Sequence, residues 1–281
     1  MSGSELTDTA DWESLLRAPE ALRALLPAIN AFAELVDATP GLTYVGCGSS
    51  LDVVDVVAPK GSVSVSGGDA ALATQVGPWI AISRSGSTRE LSDVALNTPP
   101  SFVVTCDPTS ELAKRSVGPV LDLSEASDPG FVALTSTLVT LSALILIDSA
   151  PSARPALSVQ LVDALSRGLA QPTSAAAPAI AWLGNWRSEP LGRELVRKTA
   201  ESGRSGMWMH GFEFLHGHDL LARGDDWEWV VIDEEARYSS FIERLGRTGS
   251  PPVRHLELNS SSLSAVGALT RAYASLFVPS P

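Results

Sequence analysis

The stretch PWIAISRSGSTREL, residues 78–91, decides the reading of the fold. An apolar run of strand length (78–83) passes into four hydroxyl side chains, Ser83, Ser85, Ser87 and Thr88, interrupted by Gly86. A helical pattern follows over 88–97. Ser87 and Glu90 have the S-x-x-E spacing of a capping box, which places a helix start nearby. A strand that turns through small hydroxyl residues into a helix is the repeating piece of a parallel α/β sheet. Such sheets bind ligands at the carboxyl ends of their strands. Hydroxyls at the positive end of a helix suit a dianionic phosphate.

Working outward, the same alternation recurs. Runs at 42–48, 62–67, 101–106 and 119–124 read as further strands, and stretches at 49–58, 69–75 and 109–116 as the helices between them. A long helix over about 131–150 closes this half. No charge occurs between Asp128 and Asp148, an interval near membrane-spanning length that most of this helix occupies. Its threonines and serines and its acidic flanks point instead to a helix buried in a core or a subunit interface. The N-terminal 40 residues read as one or two helices punctuated by Pro19 and Pro27, and the Pro- and Ala-rich 151–178 as a connector with one helix. The alternation then restarts with strands at 180–184, 207–211, 229–233 and 252–258 and helices at 189–203, 236–246 and 262–277. The expected organisation is therefore an α/β protein: a helical segment 1–40, a first domain 41–150, a connector 151–178 and a second domain 179–281.

Charge narrows the function. The chain of 281 residues has 20 basic and 32 acidic side chains, a net charge of −12, and only three lysines, Lys60, Lys114 and Lys198. Without a basic tract, neither nucleic acid nor an anionic membrane surface is an expected partner. Two cysteines make no disulfide framework. The acidic start has no signal-peptide pattern, so a cytoplasmic protein is expected.

Three other constellations carry chemistry. Gly46-Cys47-Gly48-Ser49-Ser50 follows the first strand and lets backbone approach an anion, or is an ordinary strand-to-helix turn. Glu194, Lys198 and Glu201 share one face of a helix, either as a solvated ladder of ion pairs or as a functional group. The segment from His210 to Asp219 holds three of the four histidines. Its spacing fits no standard zinc pattern, so no metal is expected, and a histidine serving as acid or base is the better functional reading.

In order along the chain, GCGSS (46–50), SRSGST (83–88), GFVALTSTLVTLSALILI (130–147), ELVRKTAE (194–201) and EFLHGH (213–218) resemble the SIS (sugar isomerase) family of tandem phosphosugar-binding domains. The chain looks like the isomerase half of glucosamine-6-phosphate synthase and, more closely, like the tagatose-6-phosphate ketose/aldose isomerase-like group. The resemblance covers residues 41–280. It implies two flavodoxin-like domains, each a five-stranded parallel sheet sandwiched by helices, and a homodimer. It implies no cofactor.

By motif, Ser83, Ser85 and Thr88 hold the sugar phosphate. Cys47, Gly48, Ser49, Ser50, Arg84, Gly86, Ser87 and Thr135 complete the substrate-binding set. Glu201 matches the base that moves a proton between C1 and C2, and Lys198 the lysine beside it. His216 matches the ring-opening histidine, which in this family reaches the neighbouring subunit's site. The implied activity is aldose–ketose isomerisation of a hexose or amino-hexose 6-phosphate. The alternatives are a non-catalytic phosphosugar sensor or a deglycase- or deaminase-like enzyme. The sequence departs from the family pattern at Asn185-Trp186-Arg187, where a small glycine loop is usual, and at His218, where proline is common. It ends where relatives continue into a segment that covers the sugar.

Overall fold

The computed structural model describes residues 3–57, 64–66, 69, 77–130, 132–170, 177–211, 227–233, 253–258 and 261–278. The chain divides into two compact units, residues 14–163 and residues 164–281 together with 1–13. Helix α1 (Gly3–Leu16) and helix α2 (Ala18–Asp37) form the N-terminal segment. Pro19 lies in the first turn of α2, where its missing N–H removes no helical bond. Pro27 is carried inside α2, whose apolar stripe of Leu22, Leu25, Ile29 and Phe32 is buried and holds the helix together across it.

The first unit is built on β1 (Thr43–Gly46), α3 (Ser49–Val57), β2 (Ser64–Ser66), β3 (Trp79–Ile82), α4 (Arg89–Asn97), β4 (Phe102–Thr105), α5 (Glu111–Arg115) and β5 (Val120–Asp122). All pairings are parallel, in the order β2-β1-β3-β4-β5. Every residue of β3 and β4 is buried, as expected for strands covered on both faces. On one face Val45, Trp79, Ala81 and Val103 pack with Leu91 and Ala95 of α4 and Leu112 of α5. On the other side α2 reaches the sheet, where the Phe32 and Phe102 rings meet edge to face at 5.5 Å.

Helix α6 (Thr135–Asp148) is buried at every residue from Thr135 to Ile147, and it packs against α2 and α3. This is the buried helix expected from the charge-free interval. Among the described residues, no helix is long and apolar enough to cross a membrane. Helix α7 (Arg154–Leu169) follows, and Arg154 bonds Asp37 at 2.8 Å and the Leu146 carbonyl at 3.0 Å, tying α2 to the end of α6.

The second unit contains β6 (Ala179–Gly184), α8 (Glu189–Glu201), β7 (Ser205–His210), β8 (Trp227–Asp233), β9 (Val253–Glu257) and α9 (Ser262–Phe277). Its strands are parallel in the order β7-β6-β8-β9, the same plan as the first four strands of the other sheet. The described residues hold four strands in this sheet, and the expected fifth is not among them. Trp182 fastens α8 to this sheet by donating to the Thr199 hydroxyl at 2.9 Å. Apart from residue 69, which is in a turn, the helix expected at 69–75 lies outside the described residues, as do the helix expected at 236–246 and the residue His216.

Candidate functional site

In the first sheet, β1 connects outward to β2 while β3 connects the opposite way to β4. The strands separate at their carboxyl ends between β1 and β3, the place where open α/β sheets bind ligands. Gly46 and Ile82, the last residues of these strands, are paired in register. The loops GCGSS and SRSGST therefore leave the same edge side by side.

The SRSGST loop is shaped by its own hydroxyls. Ser83 is buried, and its Oγ lies 2.9 Å from Thr88 Oγ1. Ser85 and Ser87 are exposed, and Ser87 donates from Oγ to Ser85 Oγ at 2.8 Å. The helix begins at Arg89 with Thr88 at its N-cap, one residue later than the spacing of Ser87 and Glu90 suggested. Thr88 makes no side-chain cap bond to the helix, because its hydroxyl meets Ser83 instead. The first-turn N–H groups of α4 thus keep the donor character that attracts anions. The Arg84 carbonyl accepts from the Cys106 N–H at 2.9 Å and from Thr105 Oγ1 at 3.1 Å, which fastens the loop to the end of β4.

In the neighbouring loop, Gly48 has φ 56°, a conformation that favours glycine, and Ser49 opens α3. Cys47, Ser49 and Ser50 are half-buried. Thr135 stands differently. It is fully buried, its hydroxyl donates to the Ser14 carbonyl at 2.5 Å, and its backbone N–H donates to Asp128 Oδ1 at 2.9 Å. Asp128 also accepts from Ser136 Oγ. Thr135 therefore anchors the start of α6.

The second constellation lies on α8. Lys198 Nζ is 2.7 Å from Glu201 Oε2 and 3.5 Å from Glu194 Oε1. The side chains of Lys198 and Glu194 are 1% and 2% exposed, so the solvated-ladder reading fails. Glu201 keeps 18% of its side chain exposed, which leaves a carboxylate edge reachable by a ligand. Glu194 Oε1 also accepts from the Tyr273 hydroxyl of α9 at 2.5 Å, and Arg197 Nε lies 3.6 Å from Glu194 Oε2. Sequence reasoning missed Tyr273. It is 79 residues from Glu194 and belongs to no motif, so only the packing of α9 on α8 brings it there.

Of the histidine segment, His210 ends β7 and pairs with Glu189 at 3.4 Å, while His216 and His218 lie outside the described residues. A cavity of about 340 Å³ in the second unit is lined by Arg167, Glu257, Ser264 and Arg271 among others, and contains none of the expected site residues.

No family model matches the chain, and no curated protein matches it in sequence. Solved structures do. Tagatose-6-phosphate ketose/aldose isomerase from Escherichia coli aligns at TM-score 0.69 and 19% identity, over 98% of this chain and 94% of that one. The C-terminal domain of glucosamine-fructose-6-phosphate aminotransferase from Francisella tularensis aligns at TM-score 0.69 and 14% identity, over 95% and 94%. Glucosamine-6-phosphate deaminase from Thermotoga maritima aligns at TM-score 0.66 and 16% identity, over 94% and 92%. At these identities the likeness is one of fold, and in fold the chain is similar to the sugar isomerase (SIS) proteins.

Proposed function

We propose that the protein binds a phosphorylated hexose or amino-hexose and interconverts its aldose and ketose forms through an enediol or enolamine. The contact of the buried Lys198 ammonium with the partly exposed Glu201 carboxylate carries this reading. A base that must take a proton from carbon and return it to the neighbouring carbon needs an open oxygen and a nearby positive charge. In the forward direction Glu201 removes the C2 proton of the open-chain aldose. The electron pair moves into the C1–C2 bond, and Lys198 stabilises the negative charge that develops on oxygen. The O2 proton passes to O1 as the C2=O2 carbonyl forms, and Glu201 delivers the proton it took from C2 to C1.

The phosphate is assigned to the SRSGST loop, with Ser83, Ser85 and Thr88 as principal contacts and the GCGSS loop beside it. These hydroxyls and backbone N–H groups need no basic surface, which reconciles anion binding with a net charge of −12. On this reading residues 41–150 form the phosphate-binding domain and 179–281 the catalytic domain, joined by 151–178. His216 opens the sugar ring, reaching the partner's site in a cytoplasmic homodimer. A deaminating variant of the same chemistry is the second reading, favoured by the likeness to the Thermotoga maritima deaminase fold.

The test is proton exchange. A panel of sugar 6-phosphates is incubated with the protein in deuterated water and followed by NMR. Label at C2 that disappears in Glu201→Gln, with phosphosugar binding retained, is the expected result. Binding without label on any sugar would sink the isomerase and leave a phosphosugar-binding protein. Ammonia release from an amino-hexose phosphate would establish the second reading.

A further inference from the structure

Lys198 is offered two carboxylates from its own helix, Glu194 four residues before it and Glu201 three residues after it. Of these, a glutamate four residues N-terminal to a lysine is the intrinsically better helical partner. The ammonium nevertheless lies 2.7 Å from Glu201 and 3.5 Å from Glu194. The oxygen of Glu194 that faces Lys198, Oε1, is the one that accepts the Tyr273 hydroxyl at 2.5 Å. The other oxygen lies 3.6 Å from Arg197 Nε. Glu194 is thus buried with its charge already engaged from two sides.

We infer that Tyr273 is a positioning residue: by donating to Glu194 Oε1 it holds that carboxylate back from Lys198 and so directs the ammonium onto Glu201. Tyr273 is fully buried on α9, and its hydroxyl is the part that reaches Glu194. A hydrogen bond to a buried carboxylate is stronger than one between neutral groups, so it competes effectively with a lysine for the same oxygen. The kinetic consequence rests on the proposed role of Glu201, whereas the placement of Lys198 does not.

The chain's three lysines make the test direct. Lysine labelled with carbon-13 at Cε gives three NMR signals, assigned by single Lys→Arg variants. In Tyr273→Phe the Lys198 signal is expected to move while those of Lys60 and Lys114 stay. The kcat for C2 exchange should fall about tenfold with KM held within about twofold. In a Glu194→Ala background the Tyr273→Phe change should add nothing, because the carboxylate through which the hydroxyl acts is gone. An unmoved Lys198 signal in Tyr273→Phe, or additive effects of the two changes, would overturn the inference. If Tyr273→Phe fails to fold, biosynthetic 3-fluorotyrosine keeps the shape and strengthens the donor. It should move the Lys198 signal the opposite way, and no movement again overturns the proposal. A wild-type protein that exchanges no C2 proton defeats the isomerase reading alone, since the lysine signal still reports whether Tyr273 directs Lys198.

Discussion

Gly86 sits against Ser110: a Cβ on Gly86 would lie 2.0 Å from Ser110 Oγ and 2.4 Å from Ser110 Cβ. Ser110 is itself fixed, because it caps α5 by accepting from the Ala113 N–H at 3.3 Å. Gly86 also has φ 58°. Two independent restrictions therefore meet at the centre of the hydroxyl loop.

The consequence is tested by Gly86→Ala. A left-handed alanine costs on the order of 1–2 kcal/mol, and the contact with Ser110 adds to it. Loss of stability by about 2 kcal/mol or more in chemical denaturation is expected, together with loss of thermal stabilisation by sugar phosphates. Unchanged stability would show that the loop is not held against α5 as described.

Ser85→Ala isolates binding from folding. Ser85 is exposed and its Oγ receives the Ser87 hydroxyl at 2.8 Å and the Ser87 N–H at 3.3 Å. Exposed substitutions of this kind change stability by only about 0.5 kcal/mol. Affinity for a sugar 6-phosphate, read by calorimetry, should fall about tenfold or more through loss of one hydroxyl contact. Unchanged affinity would remove the loop from the phosphate site.

What the sequence made legible follows from burial. The runs WIAI, FVVT and AIAWLG read as strands because a sheet covered on both faces leaves no polar alternation to confuse them. Position at a strand's carboxyl end made SRSGST legible as a site candidate. The roles set by tertiary partners were not legible. Thr135 stands in a matching motif, yet its hydroxyl is committed to Ser14. The spacing of Glu194, Lys198 and Glu201 is the same whether a helix face is wet or dry, and only the packing around α8, which includes α9 and its Tyr273, distinguishes them.

Lys198→Met should separate the charge from the packing. The ammonium is 1% exposed between two carboxylates, and removing it leaves Glu194 buried with one less positive neighbour. Breaking a buried pair from one side costs about 3–5 kcal/mol, whereas Glu201→Gln, at a partly exposed position, should cost far less. Denaturation midpoints of the two variants check this. Equal losses would contradict the difference in burial between the two partners.

A different carboxylate contributes to the pH dependence of folding. Burial raises Glu228 above its ordinary 4.5, and Arg254, its ion-pair partner, and then Arg204 oppose that shift. An acid whose folded value is raised binds its proton more tightly when folded. Its contribution to stability is therefore greatest at low pH and falls as pH rises from 4.5 through the folded value. Glu228→Gln removes this slope. In urea denaturation from about pH 4 to 7, the variant's stability relative to wild type should rise with pH. Parallel curves would show that Glu228 is not held up in the folded state.

The two thiols should differ sharply in reactivity. Cys106 is buried at the end of β4, and burial, reinforced by Asp128, pushes its thiol up to about 12 despite the opposing Arg84. A thiol so raised carries almost no thiolate near neutral pH, and the thiolate is the nucleophile. Cys47 is half-buried in the GCGSS loop, which leaves the sheet next to the SRSGST loop, and it packs against the core of the first sheet. Iodoacetamide at about pH 8 should therefore modify one thiol of the native protein and two of the unfolded protein. A sugar 6-phosphate should slow the native reaction, with peptide mapping placing the label on Cys47. Modification of Cys106 first would contradict its raised thiol, and a rate indifferent to saturating phosphosugar would place the ligand away from this loop.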